Sequence, residues 1–303
     1  MARTPMLLVG GTLGSGKTTL LRRLLQHDLG RLALIVNEFG ELGIDGSLLR
    51  GRSVELVELA GGCVCCTLAG DFQAAVAELV RRVRPELIAV ETTGLAEADA
   101  LVLDVEEVLP QVRLEVVVVL VDADGAVRFP QWGHAERTQV EAADILLINK
   151  VDLVDSAAVD ALEGRLRRVN PQAAVQRAVR ARLDPALLYP RLPARSARSR
   201  AARPNPEHPL TSVTWQPSGT SELDRDAFAR AVAGWPPQVL RAKGRVHLEG
   251  QPYLFNYVAG RWELERLPAG QEGYGLVLIG EGVQSRALEL CRGLEECVHG
   301  RGA

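Results

Sequence analysis

The 303-residue sequence is short of several features, and each shortage argues against a class of function. Phenylalanine, tryptophan and tyrosine make up only 4% of the chain, so platforms for stacking single-stranded nucleic acid are poorly supplied. The formal net charge is −3, which argues against a protein that holds nucleic acid by a general excess of positive charge. No run of about 18 apolar residues occurs, so we expect no transmembrane helix. The sequence therefore predicts neither a nucleic-acid partner nor a membrane partner.

Cysteine is also scarce, with five residues in the chain. The five cysteines are an odd number, and three of them lie within residues 63–66, which is not the pattern of a disulfide framework. In a reducing compartment such a cluster is typical of metal-binding or redox-active sites. The apolar segment Met6–Val9 is too short for a signal-peptide core, and no small-residue cleavage site follows it. We therefore expect a cytoplasmic protein.

Strand-like and helix-like segments alternate through the first 180 residues. Helical spacing is clearest over Thr18–His27 and Phe72–Val83. Short runs of valine, isoleucine and leucine predict strands buried on both faces at Met6–Val9, Leu32–Val36, Val54–Leu59, Glu86–Val90, Val116–Val121 and Ile145–Ile148. This alternation predicts an α/β fold with a doubly wound, mostly parallel sheet, a P-loop domain over residues 1–186.

The composition changes after this domain. The stretch from Ala194 to Pro206 reads ARSARSRAARPNP and has no hydrophobic face, so residues 187–207 are predicted to be an Arg/Pro-rich linker. A smaller α+β domain is predicted over residues 208–303. Its expected strands are Leu210–Trp215, Arg245–Leu248, Leu254–Val258 and Leu276–Ile279, and its expected helices are Glu222–Ala233, with Ser221 as N-cap, and Ser285–Val298.

A phosphate-binding loop is predicted where the first strand meets the first helix. Residues 11–18 read GTLGSGKT and match the pattern G-x-x-x-x-G-K-[ST] at every fixed position. Glycines let backbone N–H groups surround phosphate oxygens, and the helix N-terminus adds positive potential. Lys17 is expected to reach the β- and γ-phosphates, and the Thr18 hydroxyl to bind Mg²⁺. The predicted nucleotide-binding residues here are Gly11, Thr12, Leu13, Gly14, Ser15, Gly16, Lys17, Thr18 and Thr19.

A base-selecting motif follows the strand at Ile145–Ile148. Residues 149–152 read NKVD, and a carboxylate at Asp152 accepts from both the ring N1–H and the exocyclic amine of guanine. Adenine lacks this pair of donors and would leave the aspartate unpaired. Asn149 and Lys150 are expected to support the pocket, so the sequence predicts binding of GTP and GDP.

Acidic residues follow two further strands. The loop that reads VNEFGELGID has three carboxylates, Glu38, Glu41 and Asp45, and the strand at Glu86–Val90 runs into Glu91 and Gly94. Glu91 is expected to hold Mg²⁺ through water and to orient the attacking water, while the Gly94 N–H meets the γ-phosphate. Asp122 faces the same edge of the sheet but has no assigned role. The candidate catalytic residues are Lys17, Thr18, Glu91 and Asp45.

The thiol cluster lies in the sequence GGCVCC, after the strand at Val54–Leu59. Three thiols suit zinc, copper(I) or cobalt, and they are one ligand short of a closed tetrahedral site. A carboxylate or water in the fourth position would leave the site open to exchange. A redox pair and plain buried cysteines are the alternatives. Cys291 and Cys297, on the last predicted helix, are interpreted as core or partly exposed thiols.

Together these motifs resemble the CobW-type family of P-loop GTPases. The resemblance depends on GGTLGSGKTTLL, IVNEFGELGIDG, ELAGGCVCC, ETTGLA and NKVD, in that order, and on LRAKGRVHLEG, GRWELE and LVLIG near the C-terminus. It implies that Asn149 and Asp152 read guanine. It also implies a metal site, zinc or else cobalt, formed by Cys63, Cys65 and Cys66 with help from Glu38 or Glu41. Unlike many members, the sequence lacks a histidine-rich loop, which weakens any role in metal storage.

The resemblance implies a GTP-hydrolysing metallochaperone that delivers its metal to a client protein. A regulatory GTPase with structural cysteines is the main alternative, and a small-molecule kinase is a third, although NKVD argues against it. Related GTPases that deliver nickel act as nucleotide-linked dimers, so a homodimer is an arrangement that this analogy allows.

Overall fold

The computed structural model describes residues 3–27, 29–36, 54–58, 69–92, 109–189, 210–217, 222–268 and 274–298. The chain divides into two compact units, with the division between Leu183 and Asp184. Residues 187–188, expected to begin the linker, end a short helix and have fully buried side chains, whereas residues 190–209 lie outside the described ranges. Within the described residues, no helix has both the length and the apolar character to cross a membrane.

The first unit is formed around a seven-stranded sheet in which every pairing is parallel. Its strands are β1 Thr4–Gly11, β2 Leu32–Val36, β3 Val54–Glu58, β4 Leu87–Glu91, β5 Val112–Asp122, β6 Ile145–Asn149 and β7 Ala174–Arg177. Their spatial order is β3-β2-β4-β1-β5-β6-β7. The central strands are continuous runs of buried aliphatic residues, as expected of strands covered on both faces. This arrangement confirms the predicted α/β class.

Helices connect these strands. They are α1 Lys17–Leu24, α2 Ala69–Val83, α3 Ala123–Arg128, α4 His134–Ala142, α5 Ser156–Val169 and α6 Pro185–Leu188, the last of which belongs to the second unit. Helix α1 ends three residues before the predicted limit at His27, in a short turn. Helix α5 begins where the Asp155 carboxylate accepts a hydrogen bond from the Ala158 N–H at 2.7 Å.

Strands β5 and β7 differ most from the prediction, whereas the limits of the others agree with it within two residues. Strand β5 begins at Val112 rather than Val116, because Arg113 and Glu115 are buried as an ion pair at 2.6 Å. The two charged residues interrupt the apolar pattern, so this part of the strand was not predicted from the sequence. Strand β7 was not predicted, since its four residues lack a continuous apolar run.

The order of the strands determines where a ligand can bind. Strand β1 lies between β4 and β5: the chain first forms β2, β3 and β4 on one side of β1 and then crosses to form β5, β6 and β7 on the other side. In such sheets the ligand lies beyond the carboxyl ends of the strands, at this switch point. Gly11, Glu91, Asp122 and Asn149 are the last residues of β1, β4, β5 and β6, so they meet at this edge.

The second unit contains a five-stranded antiparallel sheet, which confirms the predicted smaller α+β domain. Its strands are β8 Leu210–Trp215, β9 Val239–Leu248, β10 Gln251–Val258, β11 Arg261–Arg266 and β12 Gly275–Glu281, in the order β11-β10-β9-β12-β8. Helices α7 Arg225–Ala233 and α8 Ala287–Glu295 contribute Phe228, Leu290 and Leu294 to a core that includes Phe255 of β10.

Two tight hairpins extend the strands of this unit beyond the predicted limits. Glu249 and Gly250 have φ values of 51° and 72°, and Ala259 and Gly260 have values of 46° and 95°. Positive φ at both central residues is typical of the two-residue turn that matches strand twist. Strand β11 was not predicted, because its side chains are mostly polar and only partly buried.

Helices α7 and α8 are both shorter than predicted. Asp224, not Ser221, caps α7, since its carboxylate accepts from the Ala227 N–H at 2.7 Å. Before α8, residues 283–286 form a turn of 3₁₀ helix. Cys297 lies beyond the end of α8 and is buried, whereas Cys291 lies on the helix and is partly buried. The interpretation of these two cysteines as free thiols agrees with the structure.

Two glycines of this unit make a matched stability test. A Cβ on Gly244 would lie 1.9 Å from the Gly275 carbonyl oxygen, whereas a Cβ on Gly293, inside α8, would meet nothing within 4 Å. Gly244→Ala should therefore separate β9 from β12 and lower the free energy of unfolding by about 3 kcal/mol. Gly293→Ala should raise it by about 0.5–1 kcal/mol through helix propensity. Thermal unfolding followed by circular dichroism measures both, and equal stabilities would contradict this account.

Candidate nucleotide-binding site

The phosphate loop lies between β1 and α1 and depends on glycine at two crowded positions. Gly11 and Gly16 have φ values of 132° and 108°, a region that other residues rarely adopt. A Cβ would lie 2.4 Å from the Leu120 carbonyl oxygen at Gly11 and 2.5 Å from the Asn149 amide nitrogen at Gly16. The loop therefore packs directly against the ends of β5 and β6. Gly14 also has a positive φ of 75° but is open on all sides.

Lys17 folds back over this loop. Its ammonium donates to the carbonyl oxygens of Gly11 at 3.0 Å and Thr12 at 3.1 Å, and the residue is only 8% exposed. A buried ammonium is retained only where it is hydrogen-bonded. The contacts hold a positive charge at the loop, where the phosphates of a nucleotide would lie.

Thr18 and Glu91 meet next to this loop. The Thr18 hydroxyl donates to a Glu91 carboxylate oxygen at 3.2 Å, although the two residues come from different elements. Glu91 ends β4 and is 7% exposed. A hydroxyl and a carboxylate are hard oxygen donors of the kind that Mg²⁺ prefers. The pair thus fits the predicted magnesium site.

Asn149 connects three parts of the site. Its amide nitrogen donates to the Ser15 carbonyl oxygen at 2.8 Å, and its amide oxygen accepts from the Ala181 N–H at 2.7 Å. The side chain is buried, so both bonds are shielded from water. Asn149 therefore supports the pocket by holding the phosphate loop and the loop after β7 together.

Lys150 and Asp152 complete the motif. Lys150 has a φ of 62°, and its ammonium donates to an Asp122 carboxylate oxygen at 2.6 Å. Asp122 also caps α3 by accepting from the Gly125 N–H at 3.2 Å, which gives the unassigned residue a structural role. Asp152 is exposed in a short 3₁₀ helix at residues 151–153, where a base could reach it.

A cavity of about 660 Å³ joins these parts. Its volume is within the range of small-molecule sites. The predicted Gly14, Gly16, Thr19, Asn149, Lys150 and Asp152 line it, and so do five residues that were not predicted: Arg22, Arg23, Gln26, Leu153 and Arg180. Thr19, Arg22 and Arg23 lie on one face of α1 and Gln26 follows in the turn after it, a helical spacing that was available from the sequence.

The loop after β7 was missed because β7 was missed. Arg180 and Ala181 both have a φ of 52°, a costly conformation for residues with a Cβ. Two bonds hold this strained loop in place: Asn149 accepts from Ala181, and the Arg23 guanidinium donates to the Arg180 carbonyl oxygen at 2.7 Å. Strain of this kind concentrates at functional sites.

The other predicted site residues lie outside the described residues. They are Glu38, Glu41, Asp45, Cys63, Cys65, Cys66 and Gly94. Across the ranges that the structure does describe, no group of three or more His, Cys, Asp or Glu side chains could hold a metal ion. The metal site of the sequence analysis therefore stays a prediction.

Comparison with known proteins identifies relatives of both units. Residues 5–177 match the family model of the CobW/HypB/UreG nucleotide-binding domain, and residues 210–298 match the cobalamin synthesis protein CobW C-terminal domain. Among individual proteins, the chain is 35% identical over 192 residues to the zinc chaperone CobW of a Sinorhizobium species, which covers 53% of this chain and 54% of that protein. It is 33% identical over 191 residues to the zinc chaperone YjiA of Escherichia coli strain K12, with 60% and 59% covered.

A solved structure can also be aligned with this chain. The crystal structure of zinc-bound YjiA GTPase from E. coli aligns over 98% of this chain and 99% of that chain, at 23% identity and a TM-score of 0.48. The sequence matches span little more than half the length of the relatives, 54% for the Sinorhizobium protein. The first family model alone covers more than half of the chain, in agreement with the sequence motifs. The chain therefore belongs to the CobW/HypB/UreG family of nucleotide-binding proteins.

Proposed function

We propose that the protein is a GTP-hydrolysing metallochaperone that binds zinc or cobalt and delivers it to a client metalloprotein. The observation that supports this most directly is the cavity in which a phosphate loop and NKVD are joined by Asn149. In this proposal the thiols of Cys63, Cys65 and Cys66 bind the metal. Relatives named zinc chaperones support the choice of zinc.

Guanine is recognised through Asp152 in this proposal. Its carboxylate accepts from N1–H and the exocyclic amine, while Asn149 and Lys150 keep their protein contacts and hold the motif in position. Gly11 to Thr19 surround the phosphates, with the N-terminus of α1 directed at them.

Hydrolysis then depends on positioning and charge. Lys17 neutralises the β- and γ-phosphate oxygens, and Thr18 and Glu91 would hold Mg²⁺. When bound, Mg²⁺ neutralises the charge that develops on the phosphate oxygens. Glu91 also orients the attacking water, with Asp45 and the Gly94 N–H completing the site around the γ-phosphate.

The metal is cargo rather than a resident cofactor. GTP favours the metal-loaded state, with Glu38 or Glu41 completing the three-thiolate site, and hydrolysis releases the ion to the client. Because such coupling is reciprocal for binding, the metal must also change the affinity for nucleotide. The linker at 187–207, client recognition by residues 208–303, a cytoplasmic location and a homodimer are further parts of this proposal.

Turnover of GTP tests the coupling between metal and nucleotide. One equivalent of Zn²⁺ or Co²⁺ should change turnover or GTP affinity at least about fivefold in the wild type, because coupling energies of 1 kcal/mol or more are typical. Cys65→Ala should abolish the response. Cys291→Ala is the matched control, since it removes a free thiol of the second unit and should keep the response.

A response that is absent in the wild type would contradict the metallochaperone. Tightly held zinc that GTP does not perturb would instead identify a regulatory GTPase with structural cysteines. Phosphate transfer to an added small-molecule acceptor would identify a kinase.

A further inference from the structure

The nucleotide cavity has more positive charge than its predicted contacts require. Arg22, Arg23 and Arg180 line it together with Lys150, against one lining carboxylate, that of Asp152. The whole chain has a formal net charge of −3, so this excess is local. Lys150 is already paired with Asp122. The three arginines are not among the residues assigned to phosphate, magnesium or base.

Two of these arginines are available to a ligand. Arg22 and Arg180 are exposed, and within the described ranges no ion pair or side-chain hydrogen bond engages either guanidinium. Arg23 differs, because its guanidinium donates to the Arg180 carbonyl oxygen and thereby fixes the backbone that presents Arg180. The strained φ of 52° at Arg180 is thus maintained from α1 and from Asn149.

Arg22 lies along α1 at a distance from the phosphate loop, where the 5′-phosphates of a nucleotide would bind. Helix α1 begins at Lys17 beside the phosphate loop, and Arg22 is five residues further along, about 7.5 Å at 1.5 Å per residue. Asp152, the base selector, lines the same cavity. A guanosine nucleotide that spans the phosphate loop and Asp152 leaves its ribose hydroxyls and the O6 and N7 atoms of the base to meet other residues. These groups are neutral and do not require two guanidinium groups, whereas a phosphate attached to a ribose hydroxyl accepts charge-assisted hydrogen bonds from both.

We propose that Arg22 and Arg180 form a subsite for phosphate groups on the ribose of a guanine nucleotide. The ligand class is a guanosine 5′-diphosphate that has a further diphosphate on its 3′-hydroxyl. Such a nucleotide would compete with GTP and, having no 5′ γ-phosphate, would hold the protein in a non-hydrolysing state. The inference depends on the proposed function only in that the cavity binds guanine nucleotides.

Competition against a fluorescent GDP analogue tests this subsite. In low salt, guanosine 5′-diphosphate 3′-diphosphate should bind the wild-type protein about tenfold more tightly than GDP, because it adds charge-assisted hydrogen bonds. The preference should shrink at high salt, since exposed charges are screened. GDP mixed with inorganic pyrophosphate should bind like GDP alone, which distinguishes an attached diphosphate from a free one.

Variants of the exposed arginines identify the residues responsible. Arg22→Gln and Arg180→Gln together should reduce the preference to about one, and a thermal unfolding temperature close to that of the wild type would show that the double variant is folded. Arg182→Gln is the matched control, because Arg182 is exposed in the same loop but does not line the cavity, and it should retain the preference.

Several results would overturn the inference. These are equal affinities for the two nucleotides in the wild type, an undiminished preference in the double variant, or a parallel loss of GDP affinity. Equal affinities with an acidic protein bound at the arginines would also overturn it. The proposed function is tested separately, by binding of GDP to the wild-type protein and by metal-dependent turnover of GTP, so it can hold even if this subsite does not exist.

Discussion

Lys17→Ala is expected to lower GTP turnover by about a thousandfold. The Lys17 ammonium is buried at the loop and donates to the Gly11 and Thr12 carbonyl oxygens, so it is held in place before any phosphate arrives. Loss of one preorganised charge donor at a reacting phosphate typically reduces turnover by about 10²–10³-fold. Removal of this lysine also takes one donor from the Gly11 and Thr12 carbonyl oxygens, of which that of Thr12 keeps the Ser15 N–H at 3.2 Å, and this loosening of the loop adds a binding defect.

Single-turnover and steady-state hydrolysis with saturating Mg²⁺ measure this effect. GDP affinity, measured separately, divides the loss between binding and chemistry. Arg182→Ala is a suitable control because it removes an exposed positive charge outside the cavity. A Lys17→Ala protein that is folded and hydrolyses GTP at the wild-type rate would show that this loop does not act on phosphate.

Asp152→Asn should change the base that the protein prefers. In the proposed site the Asp152 carboxylate accepts two hydrogen bonds from guanine. An amide in its place would present a donor to the exocyclic amine, which is itself a donor. GDP affinity should therefore fall by about 10²–10³-fold. Xanthine has a carbonyl oxygen where guanine has the amine, so the amide pairs with it, and affinity for xanthosine diphosphate should rise correspondingly.

Binding of GDP and of xanthosine diphosphate is compared in the same variant, so a general loss of folding would weaken both and cannot imitate a change of preference. Asp152 is exposed, so the exchange should leave the thermal unfolding temperature unchanged. If the variant still preferred GDP, recognition of the base would have to come from elsewhere in the cavity.

The positions of the phosphate-loop motif and of NKVD at strand ends were predictable because both motifs depend on local spacing. Gly16 and Lys17 are adjacent in the sequence, and the strand and helix on either side have strong hydrophobic patterns. The same holds for NKVD after β6, a five-residue strand that is buried throughout. The meeting of Thr18 with Glu91 followed from the rule that parallel strands end at one edge.

The parts that were missed depend on contacts between distant residues. Arg113 and Glu115 look like solvent-exposed charges in the sequence, but in β5 they are buried and form an ion pair with each other. The strained backbone at Arg180 is held by hydrogen bonds to the side chains of Arg23 and Asn149, which are distant in the sequence. The hairpin turn at Ala259 and Gly260 lacks the asparagine or aspartate that signals such turns most strongly.

The two hydrogen bonds of the Asn149 side chain affect when the protein becomes functional during synthesis. They join Ser15 to Ala181, residues separated by more than half of the chain. A ribosome-bound chain that ends before Ala181 has its complete phosphate loop but lacks the partner that holds this loop to the base pocket. Such non-local contacts form late in folding, since the intervening chain must first be ordered. We therefore expect tight nucleotide binding only after the whole first unit has emerged from the ribosome.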